Sequence, residues 1–115
     1  MKLNEIYQVE FLNDALQDMT EIISSFSMMG SKNGAVRINN KINKATQRIA
    51  LFPYSGITVN DNQLAKWGFR MIIIEKYLMF YRVFEDEKKV VFYRVLNGTS
   101  NYLAILKRLK FDFEK

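Results

Sequence analysis

"YRVFEDEKKVVFYRV", residues 81–95, says nearly the same thing twice: Tyr81-Arg82-Val83, a charged run, then Tyr93-Arg94-Val95. Alternating apolar residues on both sides of Glu85-Asp86-Glu87 read as two antiparallel strands joined by a turn. Because side chains alternate faces along a strand, the length of that turn decides where the two arginines go. A three-residue loop, 85–87, pairs Phe84 with Lys88 and puts Arg82 and Arg94 on one face. A two- or four-residue loop puts them on opposite faces. Asp86-Glu87 lacks the glycine or asparagine that tight two-residue hairpins favour, so a longer loop is expected, its parity open.

Working outward, "WGFRMIII" (67–74), "YLMFYRVF" (77–84) and "KVVFYRVL" (89–96) read as three consecutive strands. Asn97-Gly98 turns the chain into a last helix from about Ser100 to Leu109. Upstream, "YSGITVNDNQLAK" (54–66) is rich in turn formers and reads as a loop. Before it, Leu16, Met19, Ile22, Ile23 and Phe26 share one face of a helix capped by Asn13 and ended by Gly30. A partner helix runs from about Asn33 to Leu51, with Ile38, Ile42, Ala45 and Ile49 as its apolar stripe and Pro53 as its stop. Two antiparallel helices joined by a short turn follow from this spacing. At the start, the alternation of Ile6 to Phe11 marks a first strand.

The chain has 115 residues, 49% hydrophobic and 25% charged, which suits one soluble domain over residues 1–115. No apolar run approaches the roughly 20 residues of a membrane span, and no signal-peptide pattern follows Met1. With no cysteine there is neither a disulfide nor a thiolate metal site, and a cytoplasmic location is expected. The absence of histidine removes the commonest general base and metal ligand together. The five glycines are scattered and form no phosphate-cradling loop, so no metal and no cofactor is expected.

Charge is distributed unevenly. Residues 1–30 hold five acids and one base, whereas residues 31–60 hold five bases and no acid, within a net charge of +5. Arg37, Lys41, Lys44 and Arg48 recur at spacings of four, three and four, which places them on one stripe of the second helix. Such a stripe either meets a polyanion or is a solvated face paired with Asp14, Asp18 and Glu21 of the first helix. Lys107, Arg108 and Lys110 either extend the stripe or favour the dipole of the last helix. Arg70, Arg82 and Arg94 place one cation in each of three consecutive strands, their stems laid over apolar atoms. Tyr81 and Tyr93 read as packing residues with a hydrogen-bonding tip, Trp67 and Phe69 as core or partner contacts, and Met28-Met29 as an adaptable apolar patch.

Taken in order, "IYQVEFLNDALQDMTEI", "AVRINNKINKATQRIALFPYSG" and "FRMIIIEKYLMFYRVFEDEKKVVFYRVLNGTSNYLAIL" resemble the RelE/ParE superfamily of bacterial type II toxins over almost the whole chain. The resemblance implies an α+β fold: an N-terminal strand, an α-helical hairpin packed on a mostly antiparallel four-stranded sheet, and a short C-terminal helix. It implies one of two activities. ParE-like members act on DNA gyrase; RelE-like members cleave mRNA on the ribosome with basic residues and a tyrosine. In the second case the resemblance assigns catalysis to Arg70 and Tyr102. However, an arginine common in RelE-like members falls on Leu78, and the end of the last strand, Asn97 to Asn101, is uncharged. The expectation is therefore a ParE-like toxin poisoning gyrase, with the RelE-like nuclease or a non-toxic interaction module on the same fold as alternatives. Arg37, Lys41, Lys44, Arg48, Arg82 and Arg94 are its expected nucleic-acid or partner contacts. The implied partners are a cognate antitoxin, held in an apolar groove that suits an amphipathic helix, and gyrase or the ribosome with mRNA. The assembly is a homodimer or a toxin–antitoxin heterocomplex, away from the membrane.

Overall fold

In the computed structural model, which describes residues 5–109, residues 81–95 belong to the two longest strands: β4, Tyr77–Phe84, and β5, Lys89–Asn97. Phe84 pairs with Lys89, so the turn has four residues, 85–88. It is closed by the Lys88 N–H donating to the Glu85 carbonyl at 3.1 Å. Further along, Tyr81 pairs with Phe92 but Phe80 pairs with Arg94, leaving Tyr93 as the extra residue of a bulge. The bulge cancels the parity of the even loop: Arg82 and Arg94 stand opposite Val91 and Phe80, both of one core, yet they bond to different partners. Arg82 donates to the Trp67 carbonyl at 2.6 Å and the Tyr93 hydroxyl at 3.2 Å, whereas Arg94 turns to Asp18 of the first helix at 2.7 Å.

The first strand, β1 (Gln8–Phe11), runs parallel to β5, and the helices α1 (Asn13–Met28) and α2 (Lys32–Leu51) follow it. Leu12 is the N-cap residue of α1, without a side-chain bond; Asn13 is already inside the helix. Ser31 caps α2 by accepting from the Gly34 N–H at 3.1 Å. Gly34 is also where the hairpin closes, since a Cβ there would lie 2.6 Å from the Phe26 ring. Pro53–Ser55 forms a 3-10 turn. Then come β2 (Ile57–Thr58), α3 (Asn62–Lys66), β3 (Arg70–Ile74) and, after β4 and β5, α4 (Tyr102–Lys107).

The sheet is mixed and has five strands in the order β1-β5-β4-β3-β2, not four. The extra strand and α3 lie in the segment read as a loop. Two residues are too few to show a period, and Asp61, which caps α3 through the Leu64 N–H at 3.0 Å, looks like any turn former in sequence. On one face, Ile38, Ile42 and Ile49 of α2 meet Met79, Tyr81 and Phe92, with Met19, Ile22, Ile23 and Phe26 of α1 packed alongside. Leu16, expected on that apolar face, is 47% exposed. On the other face, Phe69, Phe80 and Tyr93 are covered by Leu64 of α3 and Leu106 of α4. An ion pair from Lys107 to Asp61 at 3.0 Å joins those two short helices, so Lys107 does not extend the stripe of α2; Lys110 lies outside the described residues.

β1 covers only Lys89–Phe92 of β5, and α1 seals what remains of that edge. The Leu12 N–H donates to the Phe92 carbonyl, and the Val95 N–H donates to Asp18 Oδ2 at 2.9 Å. Asp18 also holds the Arg94 guanidinium in a fork, at 2.7 and 3.0 Å. No described helix is long and apolar enough to cross a membrane.

Candidate functional site

The cation stripe of α2 is divided in two by a single acid. Glu75, the first residue of the β3–β4 turn, accepts from Arg37 Nε at 2.9 Å and from Lys41 Nζ at 3.1 Å. The Arg37 hydrogen bond, followed by that of Lys41, pulls the Glu75 carboxyl down to about 2. Glu75 adopts φ +56°, a left-handed conformation uncommon in a non-glycine residue, so the two ion pairs hold a turn whose backbone is strained. The acids of α1 are not the partners of this stripe: the Asp18 carboxylate is occupied by Arg94 and the Val95 N–H. Among the described residues, neither Lys44 nor Arg48 has an ion-pair partner.

Lys41, Lys44 and Arg48 form one wall of a groove of about 560 Å³ that runs between α2 and the β2–β3 edge of the sheet. The facing wall is the β2–β3 edge, Ile57 with Met71 to Ile74, and among the described residues no aromatic side chain lines it. Ile57 and Ile73 are 53% and 55% exposed. The side chains of Ile72 and Ile74 turn toward α2, whereas Met71 belongs to the opposite core, so the cations look onto a sheet edge that is open to solvent.

Arg70 and Tyr102 are not brought together. Arg70 pairs in register with Tyr81, whose ring belongs to the helix-hairpin face, and its Nη1 donates to the Tyr54 and Gly56 carbonyls at 3.1 and 2.9 Å. Tyr102 stacks on Phe80, centroids 5.4 Å apart, on the opposite face of the sheet. Arg82 lies over Phe84, 5.0 Å from the centroid, besides its bonds to Trp67 and Tyr93. Both Arg82 and Arg94 are thus engaged within the fold, as are Tyr81 and Tyr93 through their hydroxyls.

Around Arg70 the 3-10 turn is tied down by tyrosines. The Tyr81 hydroxyl, on a fully buried ring, donates to the Pro53 carbonyl at 2.7 Å and accepts from the Gly56 N–H at 2.9 Å. The Tyr54 and Tyr7 hydroxyls both donate to Glu85, which Lys88 also contacts at 2.9 Å. The shared hydrogen bonds pull the Glu85 carboxyl down to about 2 and push the Tyr54 phenol up to about 12. Nothing in the sequence marks Glu75 or Glu85 as site residues. Their partners are 38 residues away for Arg37 and 78 for Tyr7, and no local pattern signals such pairs. The described residues contain no cluster of three or more His, Cys, Asp or Glu that could hold a metal ion.

A sequence model of the family described as the ParE toxin of the type II toxin-antitoxin system, parDE, matches residues 9–102. The chain belongs to that family. No curated protein sequence matches it significantly. Solved structures similar to this ParE-family chain include the toxin–antitoxin complex RelBE2 from Mycobacterium tuberculosis, at 20% identity, TM-score 0.60, covering 80% of this chain and 98% of that one. A chromosomal ParDE system from P. aeruginosa is similar at 13% identity and TM-score 0.64, covering 82% of this chain and 98% of that one. At such identities the likeness shows the shared fold. The family match makes the chain a type II toxin, one half of a pair whose other half is an antitoxin.

Proposed function

We propose that this ParE-family toxin arrests growth by binding and poisoning DNA gyrase, not by cutting RNA. The observation that carries the reading is the separation of Arg70 and Tyr102 across the sheet. Phosphoryl transfer needs charged and proton-moving groups converging on one phosphate. Here the arginine is spent on two backbone carbonyls and the tyrosine is stacked on a core ring. The same separation counts against the ribosome-dependent nuclease, which needs both groups.

Two experiments test the reading. Controlled induction in bacteria, with DNA, RNA and protein synthesis followed separately, is expected to show DNA synthesis failing first with transcripts whole. Purified protein should inhibit gyrase supercoiling in vitro. Early cuts in ribosome-bound mRNA would overturn the proposal. At residue level, Tyr102→Phe keeps the stacking on Phe80 and removes only the hydroxyl, so toxicity is expected unchanged in growth assays; the nuclease reading requires its loss.

A further inference from the structure

At the end of the sheet away from the cation stripe, β1 is an edge strand whose outer backbone is unpaired. The Gln8 N–H donates to the Lys88 carbonyl and the Leu12 N–H to the Phe92 carbonyl, so Gln8, Glu10 and Leu12 turn their peptide groups toward β5. Peptide groups alternate sides along a strand, which turns those of Val9 and Phe11 away from it. Among the described residues, no hydrogen bond reaches the N–H or C=O of Val9 or of Phe11. Two donors and two acceptors thus stand in a row along the outer side of the sheet.

An exposed aliphatic side chain flanks this row at each end. Ile6, 64% exposed, precedes Glu10 by four residues, ~13 Å of extended chain. At the other end, Leu16 is 47% exposed and lies two residues before Asp18 on α1. A helix turns about 100° per residue, which sets Leu16 nearly opposite Asp18. Asp18 reaches inward to the Val95 N–H of β5, so Leu16 points outward, to the side of the open peptide groups. From Glu10 it is two strand steps and four helix steps away, again ~13 Å. Equal distances on either side of one residue are what a two-fold axis requires. With Glu10 on the axis, the β1 strands of two copies run antiparallel and Val9 of each faces Phe11 of the other. Each such pair exchanges both of its N–H···O bonds. Ile6 of one copy comes level with Leu16 of the other. Glu10 then stands opposite its own counterpart, and like charges so placed repel. That repulsion is offset, because each Glu10 carboxylate is already held by Lys89 at 3.1 Å.

We infer that the chain associates with a second copy through β1, as a two-fold pair whose sheets join edge to edge with Ile6 and Leu16 closing the ends of the seam. A foreign strand would gain the same main-chain bonds, but a second copy also brings these two exposed side chains together at matching distances. The inference does not rest on gyrase being the target.

The test uses the full chain on its own. Sedimentation over a range of concentrations is expected to show a monomer–dimer equilibrium. Amide exchange at Val9 and Phe11 is expected to slow about tenfold or more as the dimer fills. Leu16→Glu and, separately, Ile6→Glu are each expected to weaken dimerisation about tenfold or more, since each carries a carboxylate into the apolar contact. Both positions are exposed, and unchanged circular dichroism would show that the monomer stays folded. Lys89→Gln leaves the two Glu10 carboxylates facing each other, so that variant is expected to dimerise less well as salt is lowered. A chain that stays monomeric at millimolar concentration, a dimer indifferent to both glutamate substitutions, or unprotected amides at Val9 and Phe11 would each overturn the inference. So would protection of those amides by a cognate antitoxin alone, which would assign the edge to that partner.

Discussion

At the scale of single residues, the Tyr81 hydroxyl carries more than its size suggests. It satisfies one donor and one acceptor of the 53–56 turn from inside the core. Tyr81→Phe leaves the Gly56 N–H and the Pro53 carbonyl without that partner, and about 1–3 kcal/mol of stability should be lost in urea unfolding. Gly56→Ala should also destabilise, because its Cβ would sit 2.3 Å from that hydroxyl and 2.9 Å from the Met71 carbonyl. Removing the hydroxyl relieves the first of these contacts, so the double variant is expected to lose less than the sum of the singles. Arg70 belongs to the same knot: it holds two carbonyls of the turn and lies 5.2 Å from the centroid of Tyr54. Its cationic character was visible in sequence, but its role was not. That role depends on carbonyls 14 and 16 residues back, which no side-chain pattern encodes.

At the scale of elements, Asp18 is the joint between α1 and the end of β5. Removing it with Asp18→Ala strands a guanidinium that is only 24% exposed and an edge N–H, for an expected loss of about 2–3 kcal/mol in denaturant unfolding. The long elements were legible because their periods run for many residues: β4 matches its expected span of 77–84, and α2 begins one residue before its expected start. The apolar stripe Ile38, Ile42, Ala45, Ile49 packs as expected for the same reason. β2 and α3, of two and five residues, were illegible because each is held by contacts, to β3 and to Asp61, rather than by its own pattern. The stripe of cations was legible as a stripe. Its division by Glu75 was not, since the β3–β4 turn reaches α2 only once the sheet is built.

At the scale of the whole molecule, two carboxylates contribute to the acid limb of stability. Glu75 and Glu85 both have folded values of about 2, below the ordinary 4.5. Depressed values mean that their contribution is complete above about pH 4.5 and is lost as pH falls toward 2, because the unfolded chain takes up protons first. Stability measured across that window should therefore fall less steeply in Glu75→Gln or Glu85→Gln than in the wild type; an unchanged slope would show that these groups do not control it. The parallel pairing of β1 with β5 has a further consequence, in time. Val9 must find Val90, across nearly the whole described chain, whereas the helical hairpin and the β3–β4–β5 meander close over short loops. β1, which precedes its partner strand by most of the described chain, is thus expected to dock last. Val9→Ala is expected to speed unfolding and leave the folding rate nearly unchanged in stopped-flow measurements. Until β1 arrives, the Lys89–Phe92 edge of β5 stands open, and each molecule passes through an interval in which that edge can accept a strand from a neighbouring chain.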